Sequence, residues 1–264
     1  MNKLSSSNPS LDEYPVRCYY LPAMFKLAQQ RLLVVAPHPD DEVIGCGGLI
    51  KKIKDGGGQV YVLYMTVGDT KDFSKKGFSF SNERQKEINA VVKFLKVDDW
   101  DIAFLGNDYH LRLDTLGHKA LMDKIERESK VSIEKIKPAV VAFPSSLSYN
   151  QDHRIVAEAA HASLRPTSQK KHNKHIVETV LIYEEPTDSW TLKTGFEPNF
   201  FVPLTNDQLN AKLAALKLYK SQLRSTPNLR SPEILKVLAQ TRGALCGYQL
   251  AEGYKSLRII SAKL

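Results

Sequence analysis

Residues Leu32–Ala36 form an unbroken apolar run, LLVVA, with no polar residue on either face. A strand buried on one side alternates apolar and polar residues. One that does not alternate is covered on both sides, which calls for a parallel sheet with helices over each face. The rest of the chain supplies the parts. Further strands are expected over Gln59–Thr66, Ile102–Leu105, Pro138–Phe143 and Val177–Tyr183. Apolar residues recur at helical spacing over Asn82–Leu95, through Ile88, Val91, Val92 and Leu95. Helices are also expected over His118–Ser129 and Arg154–Ser163, and over Leu49–Lys54 as far as the breaker Asp55–Gly58. Strands that alternate with helices in this way define a doubly wound, mostly parallel α/β fold. From Thr205 the chain turns helical, over Asp207–Gln222 and Pro232–Leu245, and residues 1–27 form an irregular arm. With 264 residues and no internal repeat, one domain over 1–264 is expected, with 205–264 as its helical C-terminal part.

Composition narrows the function classes. The longest apolar runs fall far short of the roughly 20 residues that span a bilayer, so no membrane span is expected. The start, MNKLSSSNPSLDEYP, has no apolar stretch of signal-peptide length. Cys18, Cys46 and Cys246 form no CxxC pair, which argues against a disulfide framework and against a cysteine zinc site. A reducing cytoplasm is the expected location. The formal charge of +8 is spread over Lys51–Lys54, Lys71–Lys76, Lys130–Lys137, Lys170–Lys174 and the C-terminal helices. No basic stripe with interleaved aromatics stands out, so no nucleic-acid partner is expected. The charge reads as a solvated surface, or as attraction for an anionic substrate such as a sugar nucleotide or lipid-linked sugar.

Directly after the first strand come His38, Pro39, Asp40, Asp41 and Glu42, then Gly45-Cys46-Gly47-Gly48. In a doubly wound sheet, ligands bind outside the carboxyl ends of the strands, where this turn lies. Histidine nitrogen and carboxylate oxygen suit a borderline ion such as zinc. Their spacing in a turn entering a helix can bring His38 and Asp41 to one ion, leaving Asp40 to face a water there as proton acceptor. The glycines are expected to let other backbone or substrate approach closely. Neither a Walker loop nor GxGxxG is present. Helix capping accounts for one acid, not for three acids and a histidine.

A catalytic zinc normally takes three protein ligands, so a third is needed from another strand end. The stretch VVAFPSSLSYNQDHRIVAEAA repeats the topology: apolar strand, short loop, Asp152 beside His153, amphipathic helix. His153 becomes the favoured third ligand, and Asp152 is expected to orient a ring or buttress the site by a hydrogen bond. Of the other histidines, His110 and His118 flank a loop within reach of a substrate. His161 reads as core or surface, and His172 and His175 lie in a lysine-rich solvated segment.

Together these residues resemble the PIG-L/LmbE-like family of zinc-dependent N-deacetylases. Its signature, an Ala-x-His-Pro-Asp-Asp-Glu turn after the first strand, stands here as Ala36-Pro37-His38-Pro39-Asp40-Asp41-Glu42. The resemblance implies a Rossmann-like fold, His38 and Asp41 as zinc ligands, and Asp40 as general base. His153, closing a His-x-Asp-His motif, would complete the zinc site. YMTVGD resembles the family's second strand and turn, NERQKEINAVVKFLKV a helix whose Arg84 contacts substrate, and FLGNDYHL a loop whose Asp108 contacts sugar hydroxyls. KLAALKLYKSQL and LAQTRGALCGYQLAEGY resemble the helix-rich tail of one bacterial branch. Asn150 stands where the second motif has its first histidine. It can donate to an oxyanion but cannot supply a proton at neutral pH. Asp40 then becomes the expected proton carrier to the leaving amine.

The implied reaction is removal of an N-acetyl group from an amino sugar, small or carried on a lipid or nucleotide. Zinc is the implied ion, with Fe(II) as a substitute, and homo-oligomer formation is left open. The alternatives are a zinc-dependent amidase acting on a non-sugar amide and a catalytically silent sugar- or metal-binding relative. Asp40 argues against the silent relative, since a mere metal holder has no need of it.

Overall fold

The computed structural model describes residues 27–71, 77–166 and 175–260. Of the expected arm over 1–27, all but Leu27 lies outside the described residues, as do Cys18, His172 and the lysines within 72–76 and 167–174. The strands are β1 (Arg31–Ala36), β2 (Gln59–Val67), β3 (Thr70–Lys71), β4 (Phe78–Ser79), β5 (Asp99–Leu105), β6 (Val140–Phe143), β7 (Thr179–Tyr183), β8 (Phe200–Pro203) and β9 (Ala251–Ile259). The helices are α1 (Asp41–Asp55), α2 (Ser81–Leu95), α3 (Gly117–Asp123), α4 (Ile133–Ile136), α5 (Gln151–Ser163), α6 (Asn206–Leu218) and α7 (Pro232–Leu245).

Among the described residues the main sheet runs β5-β2-β1-β6-β7-β9-β8. The strands from β5 to β7 pair in parallel, while β9 is antiparallel to both β7 and β8. The apolar run in β1 explains why the sheet is covered twice. Leu32, Val34 and Ala36 pack with Ile44, Leu49 and Ile53 of α1 and Ile88 of α2. Leu33 and Val35 face the other way, into a core with Leu121 of α3 and Val156 and Ala160 of α5. β1 has β2 on one side and β6 on the other, so the carboxyl ends of β1 and β6 meet where the strand order reverses. That crevice is where an open α/β sheet binds its ligand. No helix among the described residues is long and apolar enough to cross a membrane.

The structure departs from the sequence expectations in several places. β3, β4, α4 and β8 were not expected, and the helix expected over Asp207–Gln222 ends at Leu218. Three departures are larger. α1 begins at Asp41, well before Leu49, and takes in the three glycines. They sit inside a helix, and what approaches them closely is the neighbouring elements, including the Lys212 Cα at 3.4 Å from a Cβ on Gly47. A Cβ on Gly45 would lie 2.3 Å from Tyr183 Cδ2, and one on Gly47 2.7 Å from Lys212 Cγ. Their use is close packing of α1 against β7 and α6. The helix expected over His118–Ser129 is split, α3 giving way to a π-helical turn over Lys124–Glu128. Finally, the C-terminal part carries its two helices but also β9, which inserts between β7 and β8. The first four residues of β9 are all buried and include Glu252, so the strand lacks a clean alternation. Glu252 is neutralised by Lys212 at 2.6 Å and accepts the Gly48 and Leu49 N–H groups.

Candidate metal centre

The turn after β1 is held in a costly backbone. Asp40 takes φ 104° and ψ −25°, a left-handed conformation. Such a backbone costs on the order of 1–3 kcal/mol in a residue with a Cβ and persists where its surroundings enforce it. Here the Asp40 N–H donates to Glu42 Oε2 at 3.1 Å, and Glu42 Oε1 accepts the hydroxyls of Tyr64 and Tyr219 at 3.0 and 2.5 Å. Burial pushes the Glu42 carboxyl up to about 8 despite those donors. The reversal at Asp40 lets α1 start at Asp41 and brings His38 back over its first turn. The His38 N–H donates to Asp41 Oδ2 at 2.9 Å.

His153, from the first turn of α5, completes the cluster. His38, Asp41 and His153 are all buried, and one side-chain donor atom from each lies within 4.8 Å of the other two. Asp41 Oδ2 stands 3.4 Å from His38 Nδ1 and 3.1 Å from His153 Nε2. The outer ring nitrogens are turned to other carboxylates. His38 Nε2 is 2.9 Å from Asp152 Oδ2, and His153 Nδ1 is 3.6 Å from Glu185 Oε1.

This donor set fits a divalent cation. Two imidazoles and one carboxylate leave an open position of the kind catalytic zinc sites keep. His153 Nε2 is buried with no hydrogen-bond partner, although Asp41 is close. Burial by itself would strip protons from both imidazoles. The acids overrule it: Asp152 and Asp41 raise the pKa of His38, and Asp41 and Glu185 raise that of His153. Burial would also raise Asp41, yet His153, His38 and Arg230 hold it well below the usual carboxylate range. A pocket whose acids draw protons onto two imidazoles is one that a metal ion can fill in their place.

Around the cluster, Asp40 is buried beside Asp41, and burial raises its carboxyl while Arg230 opposes the shift. Asp152 turns to His38 rather than to its neighbour His153, and its Oδ1 accepts the Leu113 N–H at 3.0 Å. Asn150 is the N-cap of α5, its Oδ1 accepting the Asp152 N–H at 2.9 Å, which leaves its NH2 group as the donor. Arg84 is buried, with Nη1 3.1 Å from His110 Nε2. The His110 ring meets that of His38 edge-on at 5.3 Å. Asp108 is exposed on the same loop, so the residue brought to the cluster there is His110.

Sequence reading missed two further residues. Glu185 follows β7 and has both carboxylate oxygens buried without a hydrogen-bond partner. Burial and nearby Asp41 push it well above the usual carboxylate range. An acid pair at the end of an apolar strand was a usable signal. Arg230 reaches Asp41 from 189 positions along the chain and carries no such signal.

Fold and site define a doubly wound α/β protein with a His-Asp-His centre at its topological switch point. The chain belongs to the PIG-L family: the model described as "PIG-L: GlcNAc-PI de-N-acetylase" matches residues 33–164. It is 27% identical over 240 residues to a diacetylchitobiose deacetylase of Thermococcus kodakarensis, covering 86% of this chain and 82% of that one. It is 27% identical over 202 residues to a probable N-acetyl-alpha-D-glucosaminyl L-malate deacetylase 2 of Bacillus cereus, covering 74% and 84%. A structure of N,N'-diacetylchitobiose deacetylase from Pyrococcus horikoshii superposes with a TM-score of 0.64 at 22% identity, over 86% of this chain and 83% of that one. The last likeness bears on the fold.

Proposed function

We propose that the protein is a zinc-dependent deacetylase that hydrolyses the N-acetyl group of an amino sugar, giving acetate and a free amine. The observation that carries this reading is the convergence of His38, Asp41 and His153 beside the buried, strained Asp40. The family membership and the deacetylase relatives on N-acetylated sugars support the substrate class.

His38 Nδ1, Asp41 Oδ2 and His153 Nε2 would hold the ion. Bound there, zinc lowers the pKa of a coordinated water towards ~7 and polarises the amide carbonyl. Asp40 takes the proton of the attacking water as the new C–O bond forms. Asn150 donates its NH2 to the developing oxyanion, a contact worth on the order of 3–4 kcal/mol in other enzymes. As the C–N bond breaks, Asp40 passes the same proton to the departing nitrogen, because Asn150 has none to give. Arg84 and His110 wall the site on one side, with Arg84 contacting the sugar. Asp108 is exposed, and a role on sugar hydroxyls requires the substrate to extend out to it.

A cleft of about 580 Å³, lined by Leu147, Tyr149, Trp190 and Leu192, is bordered by the loops that leave β6 and β7. Tyr149, next in the chain to Asn150, and Trp190 give the cleft exposed aromatic faces with a polar handle, which we read as room for a substrate larger than the reacting ring. Among the described residues Cys46 and Cys246 are free thiols, which suits a reducing compartment, and we assign the reaction to the cytoplasm.

Acetate release from N-acetylglucosamine and its glycosides tests the reading, with Asp40→Asn and Asn150→Ala compared under zinc saturation. Asp40→Asn is expected to cost more. Loss of turnover in Asn150→Ala with Asp40→Asn still active would overturn the proton route. Release from a non-sugar amide alone would make the protein an amidase of another class.

A further inference from the structure

Arg230 enters the centre from a turn far along the chain. Asn228 Oδ1 accepts the Arg230 N–H at 2.9 Å, and the Asn228 carbonyl accepts the Ser231 N–H at 3.0 Å. Ser231 caps α7, its hydroxyl accepting the Ile234 N–H at 3.3 Å, with Pro232 in the first turn. Asx turn, N-cap and proline together fix the backbone at 230. The guanidinium then crosses the site. Its Nη2 lies 2.7 Å from Asp41 Oδ1, 3.0 Å from Asp40 Oδ1 and 4.0 Å from Glu185 Oε2.

The division of oxygens is the informative point. Arg230 takes Oδ1 of each aspartate and leaves Oδ2 of each. Asp41 Oδ2 is the atom that faces both imidazoles. Asp40 Oδ2 is buried and has no hydrogen-bond partner. Two adjacent buried carboxylates repel, and a fixed planar cation between them orients both. A substrate anchor would keep its N–H groups for the ligand, whereas the nitrogen that faces this site already meets three carboxylates.

We infer that Arg230 is a positioning residue: by clamping Oδ1 of Asp40 and of Asp41, it holds the base with Oδ2 free for proton transfer. Residues outside the 33–164 match therefore complete the site. The inference rests on the hydrolytic reading above, and on that reading Arg230 acts through Asp40 and not on the substrate.

Arg230→Ala and Arg230→Lys test it, with kcat, KM and the zinc dissociation constant measured on each full-length variant. A misplaced base costs on the order of 100-fold, so kcat in Arg230→Ala should fall about that much, with KM within about threefold of wild type. Guanidinium ion at millimolar concentration should restore about tenfold of the loss, as it refills the vacated clamp. Lysine, which carries its charge on a flexible stem instead of a rigid planar group, should restore only part of the loss. Zinc should bind at least as tightly in Arg230→Ala, because a like charge beside the cation has been removed. A rise confined to KM would make Arg230 a substrate anchor, and unchanged kinetics would remove its role; either overturns the inference. Zinc loss together with activity would make it a scaffold residue and overturn it too. Should the wild type turn over no amide, the hydrolytic reading falls by itself, and weakened zinc binding in Arg230→Ala would still overturn the clamp.

Discussion

Asp152 Oδ2 lies 2.9 Å from His38 Nε2 while its other oxygen accepts the backbone N–H of Leu113 at 3.0 Å. The carboxylate is fixed at both ends, so the imidazole presents Nε2–H to it, and with an ion bound Nδ1, on the Asp41 side, would supply the lone pair. A carboxylate in this position sets the tautomer and raises the basicity of a metal-binding histidine. Asp152→Ala is expected to weaken zinc binding by about 10–100-fold. Competition with a chelator of known affinity measures it, and an unchanged dissociation constant would remove Asp152 from this role.

The left-handed backbone at Asp40 gives a stability prediction independent of activity. Glycine meets φ 104° without a Cβ, whereas alanine loses the carboxylate and keeps the strain. Both variants should be inactive. Asp40→Gly should be more stable than Asp40→Ala by about 1 kcal/mol, or about 2–4 °C in Tm for a chain of this size. The opposite order would show that the turn stores no strain.

His110 is expected to stay neutral in mild acid. Burial, then the neighbouring His38 and Arg84, lower its pKa to about 3. A metal ion at the centre adds charge of the same sign and lowers it further. Since the folded pKa lies below the unfolded value near 6.5, the unfolded chain binds the extra proton between those limits. The contribution is full above about pH 6.5 and is lost as pH falls towards 3. Nitrogen shifts of the ring at pH 5 should report a neutral tautomer, and His110→Gln should flatten this part of the acid-unfolding curve. An imidazolium signal at pH 5 would contradict the burial argument.

Gly45 faces the ring of Tyr183, whose hydroxyl lies 3.3 Å from the Val35 carbonyl and whose side chain is wholly buried. Gly45→Ala gains up to ~1 kcal/mol in helix propensity. Overpacking at a contact of 2.3 Å should cost about 1–3 kcal/mol. A net loss of stability in denaturant titration is expected, and a stabilised variant would show that the contact relaxes freely.

Much of this architecture was legible because buried parallel strands announce themselves by unbroken apolar runs. Leu32–Ala36 and Val140–Phe143 mark β1 and β6, and the polar clusters that follow them mark the crevice between. β9 was not legible: its buried first half contains Glu252, whose charge is cancelled by Lys212 of α6. The glycines of α1 read as loop chemistry because what they touch, Tyr183 and Lys212, is distant in sequence. The same limit hid Arg230, since the turn Asn228–Ser231 has the form of any helix start. Local patterns show where a strand ends, and long-range packing decides which side chains meet there.

The proposed chemistry needs one cation shared by His38, Asp41 and His153. Elemental analysis of zinc-loaded, dialysed wild type and His153→Ala tests it most directly. The account predicts about one zinc per chain in the wild type and near-complete loss in the variant. Full occupancy in His153→Ala, or none in the wild type, would contradict it.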